Sequence, residues 1–159
     1  MELFLKRASV FVRANKIKIS TKDLTSKLKA EGFEIEPQIK NRDALKVLNA
    51  SNKLKLSKHF SEGLFEFQDL GSQQVVNNIV VKKGMSILDF CAGGGGKSLA
   101  LASNFSNNIE LYAYDLNSSR LKPFKIRAER ACAKIKFLDD RMLFGCLLYT
   151  SPSPRDATL

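Results

Sequence analysis

The sequence predicts an α/β fold, with a small basic α+β module ahead of the first three strands of a doubly wound parallel sheet. Three observations carry this. From Met85 onward, strand-like and helix-like patterns alternate at the spacing of successive strand–helix units. Four consecutive glycines, Gly93 to Gly96, fall where the first of these strands gives way to a helix. Charge is also unevenly divided: residues 1–58 hold 14 Lys and Arg against 6 Asp and Glu, and residues 59–159 hold 12 against 10. A basic half beside a near-neutral half points to a polyanion-binding module next to one of another purpose. A solvated lysine-rich surface would give the same imbalance.

In chain order, "SVFVRANKIKI" alternates and is rich in β-branched residues, as a strand requires. "STKDLTSKLKAEG" predicts a helix with Ser20 or Thr21 as N-cap, Leu24 and Leu28 on one face, and Gly32 as its stop. "FEIEP" predicts a strand ended by Pro37, and "ALKVLN" and "LFEFQD" are short strands. These pieces form a βαβ-like module, an open sheet with one helix against it. "GSQQVVNNIVVKKG" predicts a helix with an apolar stripe of Val75, Val76, Ile79 and Val80, ended by Gly84. "MSILDF" is expected as a buried strand, with "IELYAYD" and "AKIKFLDD" as the second and third. The helices between them are "KSLALASNF" and "SSRLKPFKIRAERA", the latter with Pro123 in its first turn, where a missing N–H is tolerated.

Several function classes drop out on composition. No run of 18 apolar residues is present, and "MELFLKRASV" lacks the apolar core of a signal peptide. Three scattered cysteines without a CxxC pair argue against a disulfide framework or a zinc site, fit a reducing cytoplasm, and leave no metal expected. His59 is the sole histidine, which excludes most triad chemistry.

The glycine loop "SILDFCAGGGGKS" ends in Lys-Ser, as a phosphate-cradling loop does. A Walker A loop, however, needs glycine where Cys91 stands. The dinucleotide pattern G-x-G-x-x-G needs glycine at Ser98 or Leu99. What remains is a tight turn after a strand ending in Asp89, with a second acid, Asp115, ending the next strand. Glycine there lets a ligand lie against the backbone, and an acid about 20 residues on suits contact with ribose hydroxyls. An adenosine ligand without a triphosphate, such as S-adenosylmethionine, fits both.

"LDFCAGGGGKS" resembles the cofactor motif D-x-C-A-A-P-G-G-K-T of the RsmB/NOP-type RNA cytosine-C5 methyltransferases. "GLFEFQDLGSQQVV" is similar to that family's G-x-x-x-x-Q-D-x-x-S-Q segment, "FVRANK" to its R-V-N strand, and "AYDLNSSRL" to its D-x-x-x-x-R-L strand. The resemblance spans Phe11 to Asp139, and the departures are Gly93 for Ala and Gly94 for Pro. It implies an incomplete Rossmann-like methyltransferase sheet behind a small RNA-binding module, with S-adenosylmethionine as cofactor and RNA, by default ribosomal RNA, as partner. Cys91, Ala92, Gly93, Gly94, Gly95, Gly96 and Lys97 are implied to wrap the methionine moiety. Asp115 is implied at the ribose and Asp139 near the adenine, with Asp140 as the alternative. Asp89 is implied to orient the loop or the cofactor's amino group. Gln68, Asp69, Ser72 and Gln73 are implied to brace the first strand and line the RNA approach, with a structural role for Gln73 equally open.

Family members add a cysteine thiolate to cytosine C6 so that C5 can accept the methyl group. The segments that hold the family's two functional cysteines have no counterpart in this sequence. Cys91 is the motif's own non-nucleophilic cysteine and Cys132 lies at a helix end, so no catalytic residue is assigned and the chain as written is expected to be inactive. The final "CLLYTSPSPRD" resembles the translation of a sequencing-library adapter. The expected organisation is therefore a basic RNA-binding module at 1–66, the first half of a methyltransferase domain at 67–145 and an artefactual tail at 146–159. Two alternatives stand beside this: a non-catalytic RNA-binding protein with a vestigial cofactor site, and a P-loop-like nucleotide binder.

Overall fold

The computed structural model describes residues 8–39, 41–49, 52–82 and 84–146. The adapter-like residues after Cys146 lie outside them. Two sheets are built. The first has four strands in the order β2-β3-β1-β4, made of β1 (Val10–Ala14), β2 (Ile35–Gln38), β3 (Asn41–Val47) and β4 (Phe65–Phe67). Every pairing in it is antiparallel. Because β3 lies between β1 and β2, those two run parallel, so the unit is a split βαβ with α1 (Thr21–Ala30) as its crossover.

Local chemistry explains the helix. Ser20 caps α1 by accepting the Asp23 N–H at 3.1 Å. Leu24 and Leu28, one turn apart, are both fully buried against Val12, Leu45 and Phe65. Gly32 follows the C-cap in the left-handed region, at φ +87°. A short helix α2 (Lys58–Ser61), capped by Ser57, leads into β4.

Expectation and structure part at five places. β2 runs through Pro37 and ends one residue later; as an edge strand it can spare the missing N–H. β1 stops at Ala14, because the Asn15 carbonyl turns back to accept the N–H groups of Lys18 and Ile19. The helix over the QQVV segment, α3 (Leu70–Asn77), ends before the second half of its predicted stripe. Ile79 and Val80 lie outside it and are exposed, and of the four stripe residues only Val76 is buried. The paired asparagines and β-branched valines of "VVNNIVV" are weak helix formers, so nothing sustains the helix past Asn77.

The second sheet is parallel, in the order β5-β6-β7, with β5 (Ser86–Asp89), β6 (Glu110–Ala113) and β7 (Lys136–Phe137). The intervening helices are α4 (Gly96–Asn104) and α5 (Leu121–Ala131). Strand order that advances in one direction places successive right-handed crossovers on the same face. Accordingly both helices pack on the face carrying Leu111 and Ala113, around the buried Leu99, Leu101 and Phe124. Among the described residues nothing covers the other face, and here the fourth expectation fails: "MSILDF" is not buried, since Met85, Leu88 and Phe90 are each 40–50% exposed. A last helix, α6 (Asp140–Cys146), follows β7 and was not expected.

The two sheets are tied together by buried polar contacts. Asn15 Nδ2 donates to the carbonyls of Gly63 at 2.9 Å and Ala131 at 2.8 Å. Ser103 Oγ, on α4, accepts the Lys16 N–H at 2.8 Å.

Candidate cofactor site

The strand–turn–helix from β5 to α4 sets the geometry of the glycine loop. The Ala92 N–H is held by the Tyr114 carbonyl, and the Gly95 N–H by the Ala92 carbonyl at 2.8 Å. Gly95 is the N-cap of α4 at φ +79°, and a Cβ there would lie 2.0 Å from the Phe124 ring. No other residue fits that position. Gly93, at φ +53°, presents its N–H to Asp115 Oδ2 at 2.7 Å. Asp89 accepts a hydrogen bond from Ser98 Oγ at 2.6 Å, which ties the strand end to the first turn of α4.

Asp115 is the pivot. It is 6% exposed; Oδ1 accepts the Asn117 N–H at 3.0 Å, while Oδ2 takes Gly93 and faces Arg120 at 3.6 Å. Two clefts meet at it. One, of about 630 Å³, is lined by Phe90, Cys91, Asp115, Leu116, Asn117 and Arg120, among others. The other, of about 510 Å³, is lined by Tyr114, Asp115, Leu121, Phe137, Asp139 and Asp140, among others. A ligand with a polar head, a ribose and an aromatic base could span both with its ribose at Asp115.

The remaining expected residues divide. Asp139 and Asp140 sit together at the mouth of the second cleft, where Asp139 Oδ1 caps α6 through the Met142 N–H at 2.9 Å. Asp140 accepts from the Tyr114 hydroxyl at 2.6 Å, a contact that pushes the Tyr114 pKa upward. Cys91, Gly94 and Lys97 are exposed on the loop, Gly96 is half-buried, and Ala92 is buried beneath it. Asp69 caps α3 by accepting the Gly71 N–H at 2.9 Å. Gln73 is 1% exposed and donates to the Gln68 carbonyl at 2.9 Å, while its Oε1 is buried without a partner among the described residues. Ser72 is half-buried on α3.

The residues fit an adenosine ligand with a cationic centre better than a triphosphate. Asp115, Asp139 and Asp140 bring three carboxylates to the second cleft beside Lys122 and Lys125, so the lining carries no net positive charge to attract a phosphate chain. The glycine cradle leaves room against bare backbone, and the acids suit hydroxyl and amino donors.

Sequence reasoning missed the groups that hold the loop from behind, Phe124, Glu66 and Arg127. Glu66 carried a signal: an acid in a strand buried on both faces needs a partner. Its neighbour Arg13, nearly fully buried, has its pKa lowered from the ordinary arginine value to about 10, because desolvation outweighs the attraction of Glu66 and Asp43. A base lowered on folding weakens the fold below its folded pKa. Stability from this group therefore rises only as pH climbs from about 10 toward the ordinary arginine pKa, and it is flat near neutrality.

The fold is the start of a Rossmann-like parallel α/β sheet, with the glycine loop at the end of its first strand. No family model matches the chain. It is 30% identical over 119 residues to the probable ribosomal RNA small subunit methyltransferase B of Bacillus subtilis, covering 75% of this chain and 26% of that protein. It is 27% identical over 114 residues to the 26S rRNA (cytosine-C(5))-methyltransferase nsun-1 of Caenorhabditis elegans, covering 71% of this chain and 17% of that one. Among solved structures, a methyltransferase homolog protein from Pyrococcus horikoshii superposes with a TM-score of 0.81 at 23% identity, over 92% of this chain and 49% of that one. NSun6 from Pyrococcus horikoshii, solved with the S-adenosylmethionine analogue SFG, gives 0.75 at 18% identity, over 86% and 59%. The curated homologues of this chain are RsmB/NOP-type rRNA cytosine-C5 methyltransferases, and the chain spans about a quarter of the length of the first of them.

Proposed function

We propose that this chain is the RNA-binding and cofactor-binding portion of an RNA cytosine-C5 methyltransferase that uses S-adenosylmethionine, with ribosomal RNA as substrate and the cytoplasm as its location. The observation that carries the reading is Asp115, which buttresses the glycine loop and stands where the two clefts meet. When bound, the cofactor supplies an electrophilic methyl group on a sulfonium. The chain's own contribution is to seat it: Gly93 to Gly96 give backbone clearance, Asp115 accepts from ribose hydroxyls, and Asp139 or Asp140 meets the base edge.

The four-stranded basic module serves the RNA through phosphate contacts, which position it without reading its sequence. Methyl transfer by this chain alone is not part of the proposal. Of the two exposed free cysteines among the described residues, Cys91 lies in the cofactor loop itself. Cys132 sits at the far end of α5, about 16 Å along the helix from the cleft. Titration with S-adenosylhomocysteine tests the reading: saturable binding supports it. Its absence in folded protein would favour a vestigial site, and binding of ATP instead would favour a nucleotide-triphosphate protein.

A further inference from the structure

The glycine loop is held by the basic sheet as well as by its own. Glu66, on β4, has only 3% of its side chain exposed. Its Oε2 accepts from Arg127 Nη2 at 2.9 Å and Nε at 3.2 Å, and its Oε1 accepts from Arg130 Nη2 at 2.5 Å. Both arginines come from α5. A two-donor grip of this kind fixes the plane of the Arg127 guanidinium, and its remaining Nη1 donates to the Gly94 carbonyl in the middle of the loop. A second reach runs alongside. Arg13, on β1, donates Nε to Gln68 Oε1 at 2.8 Å. Gln68 Nε2 is buried without a partner among the described residues, and a Cβ on Gly96 would lie 3.9 Å from it.

We infer that Arg127 is a positioning residue for the cofactor loop and that Glu66 orients it, so that the loop's shape is set from the basic sheet. The inference rests on the cofactor reading above only for its functional consequence; the mechanical part stands on the contacts. An exposed loop carbonyl is ordinarily left to water. Here an ion pair anchored on the buried Glu66 engages it, and four consecutive glycines give the loop little stiffness of its own. Any polyanion that shifts β4 would shift the loop through the same contacts, and by linkage a bound cofactor would alter affinity for the polyanion.

Two measurements on the full chain test this. In amide hydrogen exchange without ligand, Arg127→Lys and Glu66→Gln are expected to raise exchange across residues 91–97 about tenfold while the β1 and β3 amides keep their protection. Unchanged loop protection in both variants overturns the inference whatever the ligand proves to be. In calorimetry with S-adenosylhomocysteine, Arg127→Met is expected to weaken binding about tenfold, about 1.4 kcal/mol, with Arg127→Lys intermediate. Unaltered affinity in folded Arg127→Met also overturns it. Failure of the unsubstituted chain to bind S-adenosylhomocysteine overturns the proposed function instead and leaves the exchange result to decide the mechanical claim.

Discussion

Gly95 bears the sharpest constraint in the chain. Its φ of +79° and the Phe124 ring, 2.0 Å from where a Cβ would stand, act together. Gly95→Ala must adopt a disfavoured left-handed backbone and displace a fully buried ring. The combined cost is expected to be about 2–4 kcal/mol, read as a lowered urea midpoint at unchanged slope. A change under about 0.5 kcal/mol would mean that the loop has room this geometry denies. Glycine at this position was legible in the sequence; its reason was not, because Phe124 lies 29 residues away. The ion pairs on the buried Glu66 were half legible. Glu66 stood out in an apolar strand, whereas its partners Arg127 and Arg130 lie on a helix whose other basic residues face solvent.

At the scale of elements, caps and periodicity did most of the work. Ser20, Leu24, Leu28 and Gly32 specify α1 from both ends and from its buried face. Ser20→Ala is expected to cost about 1 kcal/mol in urea unfolding, since the Asp23 N–H loses its acceptor. An unchanged midpoint would assign the helix's stability to packing alone. Where reading and structure diverged, local pattern had no access to tertiary placement. "VVNNIVV" has the spacing of a helix but lacks the propensity, and "MSILDF" has the apolarity of a buried strand but occupies a sheet edge with an open face. α6 went unforeseen, although Asp139 and its capping bond to Met142 mark its start.

At the scale of the molecule, two properties should be measurable. Among the described residues the face beside β5 is uncovered, leaving Leu88 on that edge strand and Phe90 just past its end half exposed, a template for pairing with other chains. Light scattering is expected to show concentration-dependent association, reduced by Leu88→Lys; a monomer throughout would remove the edge as a liability. The basic module should give RNA affinity that falls steeply with salt and depends little on sequence. Filter binding with DNA as competitor checks this, and flat salt dependence would leave the excess lysines as ordinary solvated surface.

The central claim is that the glycine loop and Asp115 seat an adenosine ligand that carries no triphosphate. Calorimetric titration of the full chain with S-adenosylhomocysteine, with ATP in a parallel cell, tests it most directly. The account predicts one saturable site for S-adenosylhomocysteine, weakened at least tenfold (about 1.4 kcal/mol) by Asp115→Asn, and none for ATP. No heat from S-adenosylhomocysteine in folded protein, or a saturable site for ATP, would contradict it.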